Sequence, residues 1–242
     1  MSNLKKSMDL FISDLDGTIV ETEDYHRLAY NSLFGELGLT QKWTKQQYMD
    51  RLQTMGGNKL REVFSWLDLP DHEYEQTKKK LYERKTAIYA DLICSDLSSG
   101  KLNLRPGIRR LFQEIQDAGI PIAIATACVG WVASQVVEAA LGRSFLQSLA
   151  CLCGGESAEK HKPAPDIYLL VANKVGVNAG SCIVLEDTYH GMTAAKDAGM
   201  FCIATPSEFA MHHDFSRANL VLADLDTPTP FHLEDLIACH DG

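Results

Sequence analysis

Short apolar runs and longer stretches of helical periodicity alternate through most of this chain. Residues 8–13, 120–125, 148–152, 182–185 and 201–204 form runs that are mostly apolar and stop against polar residues or glycine, which predicts buried strands. Between them, 106–118, 130–141, 165–175 and 191–198 have a helical pattern. Pro106 and Pro165 suit the first turn of a helix, and Gly119 and Gly199 suit the residue just past its end. Strands of this kind alternating with helices predict a parallel sheet covered on both faces, a Rossmann-like α/β domain.

Residues 21–100 break that rhythm. Helices are predicted over 24–37, 44–53, 59–67 and 73–89, with no strand among them. Gly56-Gly57 and residues 96–100 punctuate the segment. The expected organisation is an α/β core made of residues 1–20 and 101–242, with an all-helical insert, a lid, over 21–100. The tail, 224–242, holds prolines and a short apolar helix, and nothing in it suggests a function.

Composition narrows the classes. Hydrophobic residues make up 45% and charged residues 23% of 242, as in ordinary globular proteins. A net charge of −9 argues against a duplex nucleic-acid partner, which needs a clustered basic surface. Seven cysteines in no repeated spacing suit free thiols in a reducing compartment, and Cys151-Leu152-Cys153 lacks the further ligands of a zinc site. No apolar stretch approaches the roughly 20 residues that cross a bilayer, and the apolar run behind the basic N-terminus is too short for a signal sequence. The chain is expected to be cytoplasmic and monomeric, with neither membrane nor nucleic acid as partner.

Chemistry gathers where strands end. Asp14 and Asp16, in Leu10-Phe-Ile-Ser-Asp-Leu-Asp-Gly-Thr18, follow the first strand, and carboxylates two apart on extended backbone face the same way. They repel each other unless a cation lies between them, and oxygen ligands suit Mg²⁺; the same residues would also suit a solvated Asp-Gly turn. Glu186-Asp187 follow another apolar run and could complete the ligand set, or merely favour the dipole of the next helix. Thr126 ends a third strand, where a hydroxyl and backbone N–H groups could hold phosphate or cap a helix. Lys162, in Lys160-His-Lys-Pro-Ala-Pro-Asp166, sits on a proline-stiffened loop, either as a fixed charge for phosphate or as a surface lysine. Lys59 and Arg61, after the double glycine, oppose a helix dipole unless an anion is bound; a solvated helix end is the alternative. Together the strand-end residues describe a phosphoryl-transfer site.

The order Asp14-x-Asp16-Gly-Thr, Thr126, Lys162, Glu186-Asp187 resembles the haloacid dehalogenase superfamily of phosphatases over essentially the whole chain. The resemblance implies that Asp14 attacks phosphorus and Asp16 moves the proton, its backbone carbonyl helping to bind Mg²⁺. It gives Thr126 and Lys162 the phosphoryl oxygens, and Asp14, Asp16, Glu186 and Asp187 the metal. It makes the helical insert a mobile cap. Glu21-Thr-Glu-Asp-Tyr-His-Arg27 and Lys162-Pro-Ala-Pro-Asp166 are similar to the branch that holds β-phosphoglucomutase and the CbbY-type sugar-bisphosphate phosphatases. Gly56-Gly-Asn-Lys-Leu-Arg61 and Arg84-Lys-Thr86 lean to the CbbY side, whose members hydrolyse xylulose 1,5-bisphosphate. The implied substrate contacts are His26, Lys59, Arg61 and Lys85 in the cap and the backbone of Ala127, where related enzymes often carry hydroxyl side chains instead of Ala127-Cys-Val129. The expected activity is Mg²⁺-dependent hydrolysis of a phosphorylated sugar, the alternative being a hexose phosphate mutase.

Overall fold

A computed structural model describes residues 8–55 and 59–241. Its contacts divide the chain into two compact units, Met1–Glu21 with Leu97–Gly242, and Thr22–Asp96.

The first unit is built on a six-stranded sheet in which every strand pair is parallel, in the order β3-β2-β1-β4-β5-β6. The strands are β1 (Leu10–Ser13), β2 (Ile122–Ala125), β3 (Cys151–Cys153), β4 (Cys182–Glu186), β5 (Phe201–Ala204) and β6 (Leu220–Val221). Residues of β1, β2 and β4 are buried throughout, as expected of strands covered on both faces. Leu10, Ile12, Ala123 and Val184 join one core cluster with Tyr168, Val171 and Met192. On β1, Phe11 alternates with Leu10 and Ile12, and its ring meets Phe112 edge-on at 5.9 Å. Burying each of these large side chains contributes about 1.5–3 kcal/mol.

Helices α5 (Ile108–Asp117), α6 (Gly130–Leu141), α8 (Asp166–Val175) and α9 (Tyr189–Asp197) connect the strands close to where the periodicity placed them. Two elements differ from expectation. A short helix, α7 (Arg143–Ser148), precedes β3, because Phe145 stacks on Phe112 at 5.5 Å and anchors a turn that the pattern left open. The edge strand β6 is two residues long and too short to show a period. A last helix, α10 (Leu233–Asp241), occupies the tail. No helix among the described residues is long and apolar enough to cross a membrane.

The second unit is all helical: α1 (Glu23–Glu36), α2 (Lys45–Met55), α3 (Lys59–Ser65) and α4 (Tyr74–Ser98). Its core is aromatic. Trp43 packs against Tyr30 and Phe34, each at 4.9 Å, and Asn31 accepts from the Trp43 N–H at 2.8 Å while donating to its carbonyl at 3.0 Å. Helix α4 runs past Tyr89 without a break, so the polar residues near 96 do not interrupt it. Gly56-Gly57-Asn58, which belong to the family resemblance, lie outside the described residues.

Candidate active site

Register brings the strand-end residues together. Ser13 pairs with Ile124 on β2 and Leu185 on β4, and the Asp14 N–H donates to the Leu185 carbonyl at 3.0 Å. The next residues along, Asp14, Ala125 and Glu186, therefore stand side by side at the carboxyl edge of the sheet, where β1 lies between β2 and β4. That is the edge at which ligands gather in open parallel sheets.

Lys162 is the hub. Its Nζ donates to Asp14 Oδ1 and Glu186 Oε1, both at 2.6 Å, and to the Ala125 carbonyl at 3.1 Å. A solvated lysine is excluded, since only 9% of the Lys162 side chain is exposed. Asp14 Oδ2 accepts from the Thr18 hydroxyl at 3.2 Å, and the same hydroxyl lies 3.2 Å from Asp187 Oδ1. Oxygens of Asp14, Glu186 and Asp187, all buried, come within 4.8 Å of one another. The Asp16 carboxylate is not in that set: its Oδ2 accepts from the Thr126 hydroxyl at 3.2 Å. Two glycines allow this crowding. Gly17 has φ +81°, and a Cβ there would collide with the Asp187 carboxylate; a Cβ on Gly191 would collide with that of Glu186.

The electrostatics fit a cation. Burial pushes the Asp14 carboxyl up to about 7, although Lys162 pulls the other way and Glu186 and Asp16 add to the rise. Asp187 is driven well above the carboxylate range, first by burial and then by Asp14 and Glu186, against the opposing pull of Ser207 and Arg105. Burial opposes the charge on Lys162, but Asp14 and Glu186 hold it protonated. Three buried carboxyl groups beside one ammonium can all ionise only if more positive charge joins them, and a hard divalent cation with oxygen ligands supplies it.

The phosphate loop after Thr126 differs in part from expectation. The donors of Ala127-Cys128-Val129 do not all remain available: the Cys128 N–H donates to Thr126 Oγ1 at 3.0 Å and closes a small turn. The Ala127 N–H has no partner among the described residues, and Ala127 is exposed.

In the helical unit, His26, Lys85 and Lys59 lie close enough for both lysines to act on the imidazole. Lys85 Nζ donates to His26 Nδ1 at 3.0 Å, which places the ring proton on Nε2, and His26 stacks on Tyr89 at 4.0 Å. Burial, Lys85 and Lys59 depress the His26 pKa well below its usual value, so the ring is neutral. Lys59, 5.7 Å from the Tyr48 ring centre, is itself lowered by burial, with Glu23 opposing. Arg61 does not join this group. Its guanidinium lies 4.3 Å from the Tyr74 ring centre and donates to Asp71 at 3.1 Å. The reason is helical geometry, since residues two apart on α3 face different ways.

Sequence reasoning missed three residues. The Tyr168 hydroxyl donates to Glu186 Oε1 at 2.6 Å, Ser207 bonds Asp187, and Arg105 grips the loops around Asp187. Tyr168 carried a signal, a hydroxyl on the buried face of α8 between Ile167 and Val171; the other two carried none.

Residues 11–205 match the haloacid dehalogenase-like hydrolase family. Protein CbbY of the plasmid of Cupriavidus necator is 36% identical over 226 residues, covering 91% of this chain and 87% of that one. A crystal structure of CbbY from Rhodobacter sphaeroides in complex with phosphate superposes with a TM-score of 0.78 at 28% identity, over 97% of this chain and 100% of the other. A variant of that protein in complex with xylulose 1,5-bisphosphate gives 0.77, also at 28% identity, over 93% and 97%. The chain belongs to the haloacid dehalogenase-like hydrolases and is an enzyme. Within that family it is similar to the CbbY proteins.

Proposed function

We propose that this hydrolase is a Mg²⁺-dependent phosphatase that removes a phosphoryl group from a phosphorylated sugar, and that its substrate is a sugar bisphosphate such as xylulose 1,5-bisphosphate. The carrying observation is Asp14: a buried strand-end carboxylate held by Lys162 at 2.6 Å and by Thr18 at 3.2 Å, beside Glu186 and Asp187. The CbbY structure with xylulose 1,5-bisphosphate supports the choice of sugar.

Asp14, Glu186 and Asp187, with the backbone of Asp16, would hold Mg²⁺, which when bound neutralises the carboxylate cluster and the phosphoryl oxygens. An Asp14 oxygen forms a bond to phosphorus while the bond from phosphorus to the sugar oxygen breaks, and Asp16 gives that oxygen its proton. Asp16 then takes a proton from the water that attacks phosphorus, which releases phosphate and restores Asp14. Thr126 orients Asp16 through their 3.2 Å bond. Lys162 stands where a phosphoryl oxygen arrives as the aspartyl phosphate forms, and the Ala127 N–H serves another oxygen. The helical unit serves as the cap, with Lys59 and Lys85 receiving the sugar's second phosphate and His26 contacting the substrate.

The test is phosphate release with Mg²⁺ across sugar mono- and bisphosphates, with Asp14→Asn as the blank. Release from a pentulose bisphosphate, absent in the blank, is expected. Conversion of glucose 1-phosphate to another hexose phosphate with no free phosphate would replace the phosphatase by a mutase, and release undiminished in the blank would remove Asp14 as nucleophile.

A further inference from the structure

Arg105 ends the stretch that leads back from the helical unit into the sheet domain, and its side chain is 9% exposed. Nη1 donates to the Gly17 carbonyl at 2.5 Å and to the Thr205 carbonyl at 2.7 Å, and Nη2 to the Pro206 carbonyl at 2.9 Å. Nε faces Glu21 at 3.4 Å, and the Arg105 N–H donates to the Ile19 carbonyl at 2.9 Å. One guanidinium thus joins the loop that follows β1 to the loop that follows β5.

Those loops are the two walls of Asp187. On one side lies Gly17, close enough that an added Cβ would meet the Asp187 carboxylate, and that Cβ would stand 3.1 Å from Ser207 Cβ on the other wall. Ser207 bonds the Asp187 side chain. The Thr205 N–H donates to the Glu186 carbonyl at 2.7 Å, so the second loop is also tied to the end of β4. The first loop carries Asp16. The Gly17 N–H donates to the Val20 carbonyl at 2.8 Å, and the peptide plane makes the Asp16 carbonyl point the opposite way. With Arg105 on the Gly17 carbonyl, both polar groups of Gly17 are fixed, and with them the turn that presents Asp16.

We infer that Arg105 is a positioning residue for metal binding: its fork sets the spacing of the Gly17 and Thr205–Pro206 loops and so holds Asp187 and the Asp16 carbonyl in one ligand geometry. The inference deepens the proposed phosphatase and rests on it for the reaction, though not for the metal. A planar fork spanning several carbonyls on two loops is a role for arginine that a lysine ammonium fills only in part. Groups that orient metal ligands typically change metal affinity or activity by about 10- to 100-fold when lost.

The experiment titrates Mn²⁺ binding to the full chain by electron paramagnetic resonance, for the wild type, Arg105→Met, Arg105→Lys and, as a control, Asp187→Asn. Thermal midpoints in EDTA are measured alongside. Arg105→Met is expected to weaken Mn²⁺ binding about 10- to 100-fold and Arg105→Lys by less. In phosphate release, the Mg²⁺ requirement should rise while KM for the sugar phosphate holds. A lowered midpoint with unchanged Mn²⁺ affinity would make Arg105 a merely structural residue and overturn the inference. If Arg105→Met does not fold, the Mn²⁺ affinity of Arg105→Lys decides in the same way. A wild type that binds Mn²⁺ through Asp187 yet releases no phosphate from any sugar would sink the phosphatase reading, and the Arg105 comparison would still be decided by affinity. A wild type that binds no Mn²⁺ overturns the inference itself.

Discussion

Replacing Asp14 by Asn should stabilise the metal-free protein, because it removes one of three carboxylates that the fold forces together. Asp14 is 5% exposed, and burial moves its ionisation from 3.8 to about 7. A displacement of about three pH units, at 1.36 kcal/mol each, makes ionised Asp14 cost the folded state about 4 kcal/mol relative to the unfolded chain. The sign follows from proton counting. Between pH 3.8 and about 7 the folded state holds a proton on Asp14 that the unfolded state has lost, so the Asp14 contribution to wild-type stability falls as pH rises through that window and is level above it. Asn resembles the protonated acid in shape and keeps an acceptor for Lys162. The two proteins should therefore match near pH 4, with the variant pulling ahead by about 1.4 kcal/mol per pH unit to a plateau near 4 kcal/mol. The attraction of Lys162 is already part of that value, since it opposes the rise to about 7. Urea unfolding followed by far-UV circular dichroism, in EDTA at pH 5, 6, 7 and 8, measures the gap. Stability curves that run parallel across this range, or a variant less stable at pH 8, would refute the reasoning.

Three further predictions concern the helical unit. Lys59→Ala should raise KM for xylulose 1,5-bisphosphate about 10- to 150-fold, the loss of a charged hydrogen bond, while leaving p-nitrophenyl phosphate nearly unaffected. Arg61→Ala should change neither, because Arg61 is held by Tyr74 and Asp71; steady-state kinetics on both substrates would expose equal losses, which count against a distal-phosphate role. His26, depressed below 6.5 by burial and by Lys85 and Lys59, is neutral when folded and takes a proton sooner when unfolded. The His26 contribution to stability should therefore fall as pH drops below about 6.5, by at most 1.36 kcal/mol per unit and against the Asp14 contribution, and His26→Gln should remove it, so that thermal melts of variant and wild type diverge towards low pH. An imidazole that titrates near 6.5 in nuclear magnetic resonance would contradict this.

The strand-end residues were legible because their spacing carries a backbone constraint. Asp14 follows a short apolar run that reads as a buried strand, and Glu186 ends another. Parallel pairing of those runs sets Ser13 against Leu185, so the two acids that end them must be neighbours. Thr126 is placed by the same logic through Ile124. Lys162 has no such register. Its loop is flagged by prolines, but only the fold reveals that all its donors turn inward onto Asp14, Glu186 and Ala125. In the helical unit the reading was coarser. Lys59 and Arg61 looked like a pair in a motif, yet the 3.6-residue turn of α3 separates them, and the partner that Lys59 shares is His26, 33 positions earlier in the sequence.

Arg105 shows where local reasoning ends. It precedes a proline and a helix, and nothing in its neighbours hints at a ligand, yet it contacts carbonyls 88 and 100 residues away. Carbonyl groups are common to every residue, so a side chain that works by gripping them leaves no mark on the sequence of its partners. Its partners are recognisable only once the sheet has set β1 and β5 on either side of β4. A metal site of this kind has two layers that differ in how they are written. The acids are specified by residue type at strand ends, and a substitution there changes the chemistry. Their spacing is specified by a guanidinium reading backbone, and a substitution there should change affinity first. The Mn²⁺ titration separates the two layers, since Asp187→Asn should remove the site while Arg105→Lys should leave it present and loosened.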